Sequence, residues 1–114
     1  MPRKCDQLEV IEEEMPTICR REKVDGHQGF MLYEVIVPQG YRLLLKKAGV
    51  YGAIKEYVKL IFSHDYTLTI IGEVIRNLDV ELGEGKRVSI IVGNESDIDQ
   101  LDCGGWLMFD FISV

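Results

Sequence analysis

Residues 56–92 read EYVKLIFSHDYTLTIIGEVIRNLDVELGEGKRVSIIV, and this stretch decides the fold. It concentrates β-branched and aromatic residues in short runs, and turn-forming residues separate these runs. Ser63-His64-Asp65 is one such break and Gly83-Glu84-Gly85 is another. The pattern predicts consecutive antiparallel strands of a small sheet or barrel.

The composition of the 114-residue chain supports a sheet. Isoleucine and valine together number 23, against 11 leucines. Because β-branched side chains lose rotamer freedom in helices and pack well on a pleated surface, this composition favours strands. The length suits one hydrophobic core, so we predict a single domain over residues 1–114, with residues 1–29 as an irregular N-terminal arm.

The predicted fold class is mainly β, a small OB-like or related antiparallel barrel. Residues 50–63 leave one alternative open, because their apolar residues fall on one helical face. Within this segment Ile54, Val58, Leu60 and Phe62 also share one face of a strand, and no N-cap residue precedes Val50. We favour the strand; the alternative is an α+β fold with an amphipathic helix at residues 50–63 packed on an antiparallel sheet.

The flanking segments also read as strands. The largely apolar residues 30–37 and residues 41–47 are separated by Pro38-Gln39-Gly40, which predicts a hairpin. A second hairpin is predicted at the turn of residues 83–85. Gly72 predicts a bulge or bend within a longer strand, and a final strand is predicted at residues 106–112.

The charge distribution limits the classes of partner. A net charge of −6 argues against a freestanding nucleic-acid binder, since such proteins neutralise phosphates with excess positive charge. The middle of the chain is nevertheless basic, and nearby tyrosines offer stacking surfaces for bases. A β-barrel that binds nucleic acid through residues 42–59 is therefore an alternative function. Its candidate contacts are Arg42, Lys46, Lys47, Lys55 and Lys59.

No segment carries a catalytic signature. Ser63-His64-Asp65 contains the residue types of a catalytic triad, but triads assemble from distant segments, so this tripeptide is interpreted as a turn. A cluster of acidic residues alternates as in a calcium loop, yet it lacks the loop glycine and the bidentate glutamate. The cluster comprises Glu95, Asp97, Asp99 and Asp102. We therefore predict a non-enzyme without catalytic residues, metal or cofactor, and keep a small enzyme or metal-binding protein as an alternative.

The cysteines indicate the redox state of the chain. Cys5, Cys19 and Cys103 form no CxxC pair, and His27 and His64 lie at no recognised metal-ligand spacing. Reduced thiols are the favoured interpretation, and a zinc site of three cysteines and one histidine is the alternative. No apolar run resembles a signal peptide or a membrane span. The sequence therefore predicts a cytoplasmic protein without a membrane partner.

Three aromatic residues are candidates for a protein interface. Tyr41, Trp106 and Phe109 are of the types that supply interface contacts, and Trp106 is the single tryptophan of the chain. The apolar strands at residues 30–37 and 106–112 are candidate edges through which copies of the chain pair into a homo-oligomer. A protein partner is thus the expected ligand.

The second half of the chain has a distinctive series of strands and turns. It consists of residues 58–62, 66–75 and 86–92, the Leu82-Gly83 turn, and Asp102-Cys103-Gly104-Gly105-Trp106. This series resembles a known family, the eighth small subunit of multisubunit RNA polymerases, particularly in its archaeal form. It covers residues 56–112, while residues 41–47 look similar to that family's closing strand, which requires a permuted order. The resemblance implies an OB-like barrel without catalysis, docked on the largest polymerase subunit.

These observations together predict a non-catalytic protein-binding module. A small subunit of a transcription complex or of another nucleoprotein complex is one concrete form of it.

Overall fold

The computed structural model of the protein describes residues 17–114. This part of the chain consists of β-strands, connecting loops and a 3-10 turn at Lys55–Tyr57. Within it, no helix is both long and apolar enough to cross a membrane. The strands are β1 (Thr17–Val24), β2 (Gly29–Ile36), β3 (Tyr41–Tyr51), β4 (Val58–His64), β5 (Leu68–Ile71), β6 (Arg76–Leu82), β7 (Arg87–Asn94) and β8 (Gln100–Ser113).

The strands form two four-stranded antiparallel sheets. Sheet A has the strand order β1-β8-β3-β6, and sheet B has the order β2-β7-β4-β5. Two sheets that share the chain in this way form a jelly roll, a double-sheet relative of the closed β-barrels. The prediction of a mainly β, barrel-like antiparallel fold is confirmed, and the strand order assigns it to the jelly-roll type.

Apolar side chains from both sheets fill the space between them. On sheet A Leu43, Leu45 and Leu107 point inwards, and Phe62 and Ile90 meet them from sheet B; all five are fully buried. Burying one side chain of this size contributes about 1.5–3 kcal/mol. The interior of the jelly roll is therefore a packed core, and a binding surface has to lie on the outside.

Most consecutive strands do not pair with each other. The turns at residues 38–40 and 83–85 each carry the chain from one sheet to the other, so the two predicted hairpins are wrong. The predicted bend at Gly72, where φ is +75°, likewise takes the chain from β5 in sheet B to β6 in sheet A. The turn at Ser63-His64-Asp65 does join paired strands, β4 and β5. Alternation in a sequence reports which face of a strand is buried, and it carries no information on which strand lies beside it.

The ambiguous segment of residues 50–63 contains no α-helix. Val50 and Tyr51 end β3, the 3-10 turn follows, and β4 begins at Val58. Val58, Leu60 and Phe62 are buried on the face that strand alternation predicts. The α+β alternative is therefore wrong, because residues 58–63 belong to strand β4, and the alternating apolar side chains of this strand are buried between the sheets.

The predicted irregular arm overlaps a regular strand. Thr17–Val24 form β1, which pairs with β8 at the edge of sheet A. Arg20 of β1 reaches towards sheet B, where Nη1 donates to the Met31 carbonyl oxygen at 2.8 Å and the guanidinium lies 4.6 Å from the Phe30 ring centroid. These contacts tie the edges of the two sheets together. The predictions for residues 1–16, including those for Cys5, lie outside the described residues.

Two glycines permit a close approach around β8, the strand between β1 and β3 in sheet A. Gly105 faces sheet B, where a Cβ would lie 2.8 Å from Leu60 Cδ2 and 3.2 Å from Val92 Cγ2. Gly49 of β3 pairs with Trp106, and a Cβ there would collide with the indole and with the Val74 carbonyl oxygen. Both faces of sheet A are therefore closely packed at this point.

We expect the substitution Gly49→Ala to lower the free energy of unfolding by about 1–3 kcal/mol, because the added methyl group overpacks the site between the indole and backbone. Gly83→Ala is the matched control, since a Cβ at Gly83 meets nothing within 4 Å. Its effect should stay within about 0.5 kcal/mol. Urea unfolding of both variants measures the difference, and equal midpoints would contradict the described packing.

Candidate functional site at the four-loop end

One end of the jelly roll brings together the loops of residues 25–28, 52–57, 72–75 and 95–99, and we call it the four-loop end. Backbone hydrogen bonds link these loops or the strand ends beside them. They run from His27 N–H to the Ser96 carbonyl (3.1 Å), from Glu95 N–H to the Tyr57 carbonyl (2.7 Å) and from Gly72 N–H to the Val58 carbonyl (3.1 Å). The four segments therefore form one continuous surface.

A buried polar network fixes this surface from beneath. Asn94 Nδ2 donates to the carbonyl oxygens of Val24 (3.0 Å) and Ile98 (2.8 Å). Asn94 Oδ1 accepts from the Ser96 backbone N–H (3.0 Å) and from Gln100 Nε2 (3.2 Å). Asn94, Ser96 and Gln100 are all buried. Because buried polar groups are costly to leave unpaired, this network holds the loop of residues 95–99 in one conformation.

The carboxylates of the predicted acidic cluster each contact a neighbouring donor or cation. Asp97 Oδ1 lies 2.6 Å from His27 Nε2, and Asp99 Oδ1 accepts from the Gly26 backbone N–H at 3.1 Å. Glu95 forms an ion pair with Lys59. Within residues 17–114, no group of three or more His, Cys, Asp or Glu side chains is placed to hold a metal ion. The cluster thus joins neighbouring loops and strands.

Apolar side chains are exposed on both sides of the loop of residues 95–99. Ile98 within the loop and Leu101 just after it are exposed, Leu101 to 78%. On the other side lie the 3-10 turn and the loop of residues 72–75, with the exposed residues Tyr57, Val74 and Ile75. Exposed apolar side chains on neighbouring loops make this end a candidate interaction site.

An open groove of about 420 Å³ adjoins Leu101 and is lined by Arg21, Glu22, Lys23, Leu101 and Asp102. Arg21 Nε donates to Asp102 Oδ1 at 2.8 Å, and the guanidinium lies 4.3 Å from the centroid of the Tyr51 ring. This stacking crosses Gly104, which has no side chain and lies between Arg21 and Tyr51 in the sheet. One wall of the groove therefore carries a paired positive and negative side chain, Arg21 and Asp102, beside the exposed Leu101.

The predicted nucleic-acid residues do not form one patch. Arg42 and Lys46 lie on the outer face of sheet A, where they pair with Glu81 (2.7 Å) and Asp79 (2.5 Å). Lys59 lies on the outer face of sheet B. The remaining two, Lys47 and Lys55, lie on β3 and on the 3-10 turn. The structure divides the five cations between two sheets and a loop, so the basic segment is continuous in sequence but not in space.

The predicted interface aromatics also separate. Trp106 and Phe109 are buried, so neither is available as an exposed contact. Phe109 packs in the core with its ring centroid 4.9 Å from that of Tyr33. Tyr41 is exposed at the end opposite the four loops, where its ring meets Phe111 edge-on. Of the three candidate interface residues, only Tyr41 thus offers exposed surface, because aromatic residues serve cores as well as interfaces.

The cysteines depart from the prediction of reduced thiols. Cys19 is disulfide-bonded, and this also removes it as a zinc ligand. Cys103 is a free thiol buried against the core. Burial, and to a lesser degree the nearby Asp102 carboxylate, raise the pKa of the Cys103 thiol to about 11. Cys103 is therefore a protonated, inert core residue at neutral pH.

Sequence reasoning missed the four-loop end as a unit. Ile98 and Leu101 stand out as apolar residues within an acidic stretch, and Tyr57, Val74 and Ile75 lie in segments predicted as strands. The alternation of acidic residues with Ile98 and Leu101 was the available signal.

Comparisons with known proteins complete the description. No family model matches the chain, and no curated protein is significantly similar to it. Among solved structures, the chain is similar to a de novo designed double-stranded β-helix determined by solution NMR. The two are 14% identical, the match covers 81% of this chain and 97% of that one, and the TM-score is 0.41.

We expect Asn94→Ala to lower the free energy of unfolding by about 3 kcal/mol, because several buried polar groups lose their partner at once. Asn77→Ala is the control, since Asn77 is exposed on the edge strand β6, and its effect should stay within about 0.5 kcal/mol. Denaturant unfolding compares the two variants. Equal stability would show that the network does not hold the loops.

Alkaline pH should destabilise the fold through the partly buried Tyr51 and the buried Cys103. Burial, assisted by Asp102 and opposed by Arg21, raises the pKa of Tyr51 to about 12 from 10.0, and the pKa of Cys103 rises to about 11 from 9.0. A raised pKa in the folded state means that stability is full below pH 9 and is lost as the pH rises towards 12. Melting temperatures at pH 8 and 11 measure this loss.

Tyr51→Phe and Cys103→Ala remove the two titrating groups, so each variant should lose less stability between these pH values than the wild type does. An equally steep loss in both variants would contradict the assignment.

Proposed function

We propose that the protein is a non-catalytic module that binds a protein partner through the four-loop end. The observation that carries this proposal is the exposure of Tyr57, Val74, Ile75 and Ile98 on loops that are linked to one another, and of Leu101 at the start of β8 beside them. Exposed apolar side chains with charged neighbours are typical of the centre and rim of a protein interface.

The rigidity of the surface supports the same proposal. The network around Asn94 fixes the loop of residues 95–99, so a partner does not have to order that loop on binding. A preorganised surface retains more of its contact energy as affinity, because less conformational entropy is lost. Under this proposal we expect Leu101, which is exposed to 78%, to contact the partner, with Arg21 and Asp102 of the adjoining groove at the rim of the interface.

The finer predictions for the protein remain proposals. A subunit of a transcription complex is one form of such a module, and the polymerase-subunit resemblance is its support. Nucleic-acid binding is a weaker proposal, because the five basic residues do not share a face and three of them are paired with carboxylates. A cytoplasmic location also remains a prediction, although the disulfide at Cys19 favours an oxidising compartment.

Affinity capture from native extract tests the proposed function. The variant Tyr57→Ser/Leu101→Ser should recover at least about tenfold less of a specific partner than the wild type, because truncating a central interface residue costs about 2 kcal/mol or more. The control is Ile36→Ser, which changes another exposed apolar residue, at the opposite end of the jelly roll.

A partner retained by Ile36→Ser and lost from the double variant supports the proposal. Recovery of no specific protein by the wild type, or equal recovery by both variants, would overturn it. Far-UV circular dichroism of each variant establishes that the fold is unchanged.

A further inference from the structure

The outer face of sheet B carries a row of side chains that crosses all four of its strands. Leu60 and Phe62 of β4 point into the core, so Ile61 between them points outwards. The register of the strands places its neighbours beside it, and the row reads Thr69, Ile61, Ile91 and Met31. At about 4.8 Å between strands, the row is about 15 Å long. We call these four residues the belt.

The belt faces solvent. Within residues 17–114, sheet A packs against the other face of sheet B and leaves the belt uncovered. Met31 is exposed to 40%, and Ile71, which lies beside the belt on β5, is exposed to 54%. Ile61 and Ile91 in the middle of the sheet are partly exposed. The centre of this face is therefore apolar surface in contact with water.

The rows on either side of the belt contain no unpaired charge. Ser63 and Ser89 form the row on one side, and Ser89 Oγ donates to Glu34 Oε2 at 3.1 Å. On the other side the stem of Lys59 lies across Gly93, where a Cβ would be 3.1 Å from Lys59 Cε. The methylene groups of a lysine stem extend an apolar surface while its ammonium group reaches beyond it. The belt is thus bordered by hydroxyl groups and by a methylene chain.

The charges of this face lie towards its two ends and are paired within the chain. Lys59 forms an ion pair with Glu95 at the four-loop end, and Arg87 Nη2 lies 3.2 Å from Glu34 Oε2 near the opposite end. Each pair is neutral, whereas the whole chain carries a net charge of −6. Two copies of an acidic protein repel each other at long range, and a face of paired charges lowers that repulsion.

We propose that two copies of the chain form a dimer in which the outer faces of their sheets B pack against each other, with the two belts in contact at the centre. This arrangement has the anatomy of an interface, because an apolar centre is surrounded by polar and paired charged groups. The inference is independent of the proposed function, since the exposed apolar residues of the four-loop end lie outside the belt.

A two-fold axis along the belt makes the face complementary to itself. Rotation about this axis lays one belt on the other and brings each end of β7 over the opposite end of the second copy's β7. Glu95 follows the last residue of β7 and Arg87 is its first, so these two opposite charges face each other between copies. A second copy therefore supplies both the apolar surface and the charges that this face requires.

The size of the face sets the strength that we expect. Four strands about 4.8 Å apart, with about 3.3 Å per residue along them, give a face of roughly 19 by 25 Å. Two such faces together bury about 1,000 Å², which is near the lower limit for a specific interface. The dimer should therefore be reversible and should dissociate on dilution.

Sedimentation equilibrium of the full-length protein tests the dimer over a concentration series of about 1–200 µM. The mass of the wild type should rise from that of the monomer towards twice that value. In Ile61→Lys the dissociation constant should rise at least about tenfold, because a charge is buried at the centre of the belt in both copies. This substitution reduces the net negative charge of the chain, so stronger general repulsion cannot explain a weaker dimer.

The matched control is Val114→Lys, which adds the same charge at an apolar residue that is 81% exposed and lies outside sheet B. Met31→Lys replaces Ile61→Lys if the latter does not fold, because Met31 belongs to the belt and is already well exposed. Far-UV circular dichroism establishes that each variant keeps its sheets.

A dimer that the belt variant weakens and that Val114→Lys retains supports the proposal. A wild type that stays monomeric throughout the series, or a dimer that the folded belt variant leaves unchanged, would overturn it. The four-loop variant Tyr57→Ser/Leu101→Ser should dimerise as the wild type does. Failure of the dimer and failure of partner capture are therefore separate results.

Discussion

The structure depends on the burial of β8 on both of its faces. This strand lies between β1 and β3 in sheet A, and its inner side chains meet sheet B while Trp106 and Met108 are buried on the outer side. Two glycines of β8 permit this burial. Gly104 leaves room for the Arg21 guanidinium to stack on the Tyr51 ring, and Gly105 leaves room for side chains of sheet B. Most residues of such a strand tolerate neither added volume nor a charge, since both faces are packed.

The strand content of the molecule could be predicted from the sequence, and its topology could not. Period-two alternation located the inner face of β4 correctly, because burial selects apolar residues at every second position. It gave no information on neighbours, so turns such as Gly83-Glu84-Gly85 resemble hairpin turns although they cross between sheets. For residues 50–63, a helical period fitted the apolar residues almost as well as the favoured strand period, and the pairing of Val58–His64 with β7 decided between them.

The candidate site was harder to predict than the fold, for a similar reason. Its residues come from loops that are far apart in sequence and meet only because the jelly roll brings four connections to one end. Residues that are close in sequence can also be separated in space. Arg42 and Lys59 belong to one basic segment, but their strands lie in different sheets. Trp106 shows the limit of the strand pattern. Alternation along β8 assigns its side chain to the outer face of sheet A, but alternation does not predict that this side chain is buried.

The strand order also has a consequence for how the chain acquires its structure. All members of sheet B have been synthesised once Asn94 has emerged, whereas sheet A lacks its central strand until residues 100–113 follow. The pairing of β1 with β8 then closes a loop of most of the chain, and such non-local contacts form slowly, in milliseconds to seconds. Until β8 arrives, the apolar inner face of sheet B has no complete partner. A nascent chain interrupted before its last strand would therefore be an aggregation-prone half-sandwich.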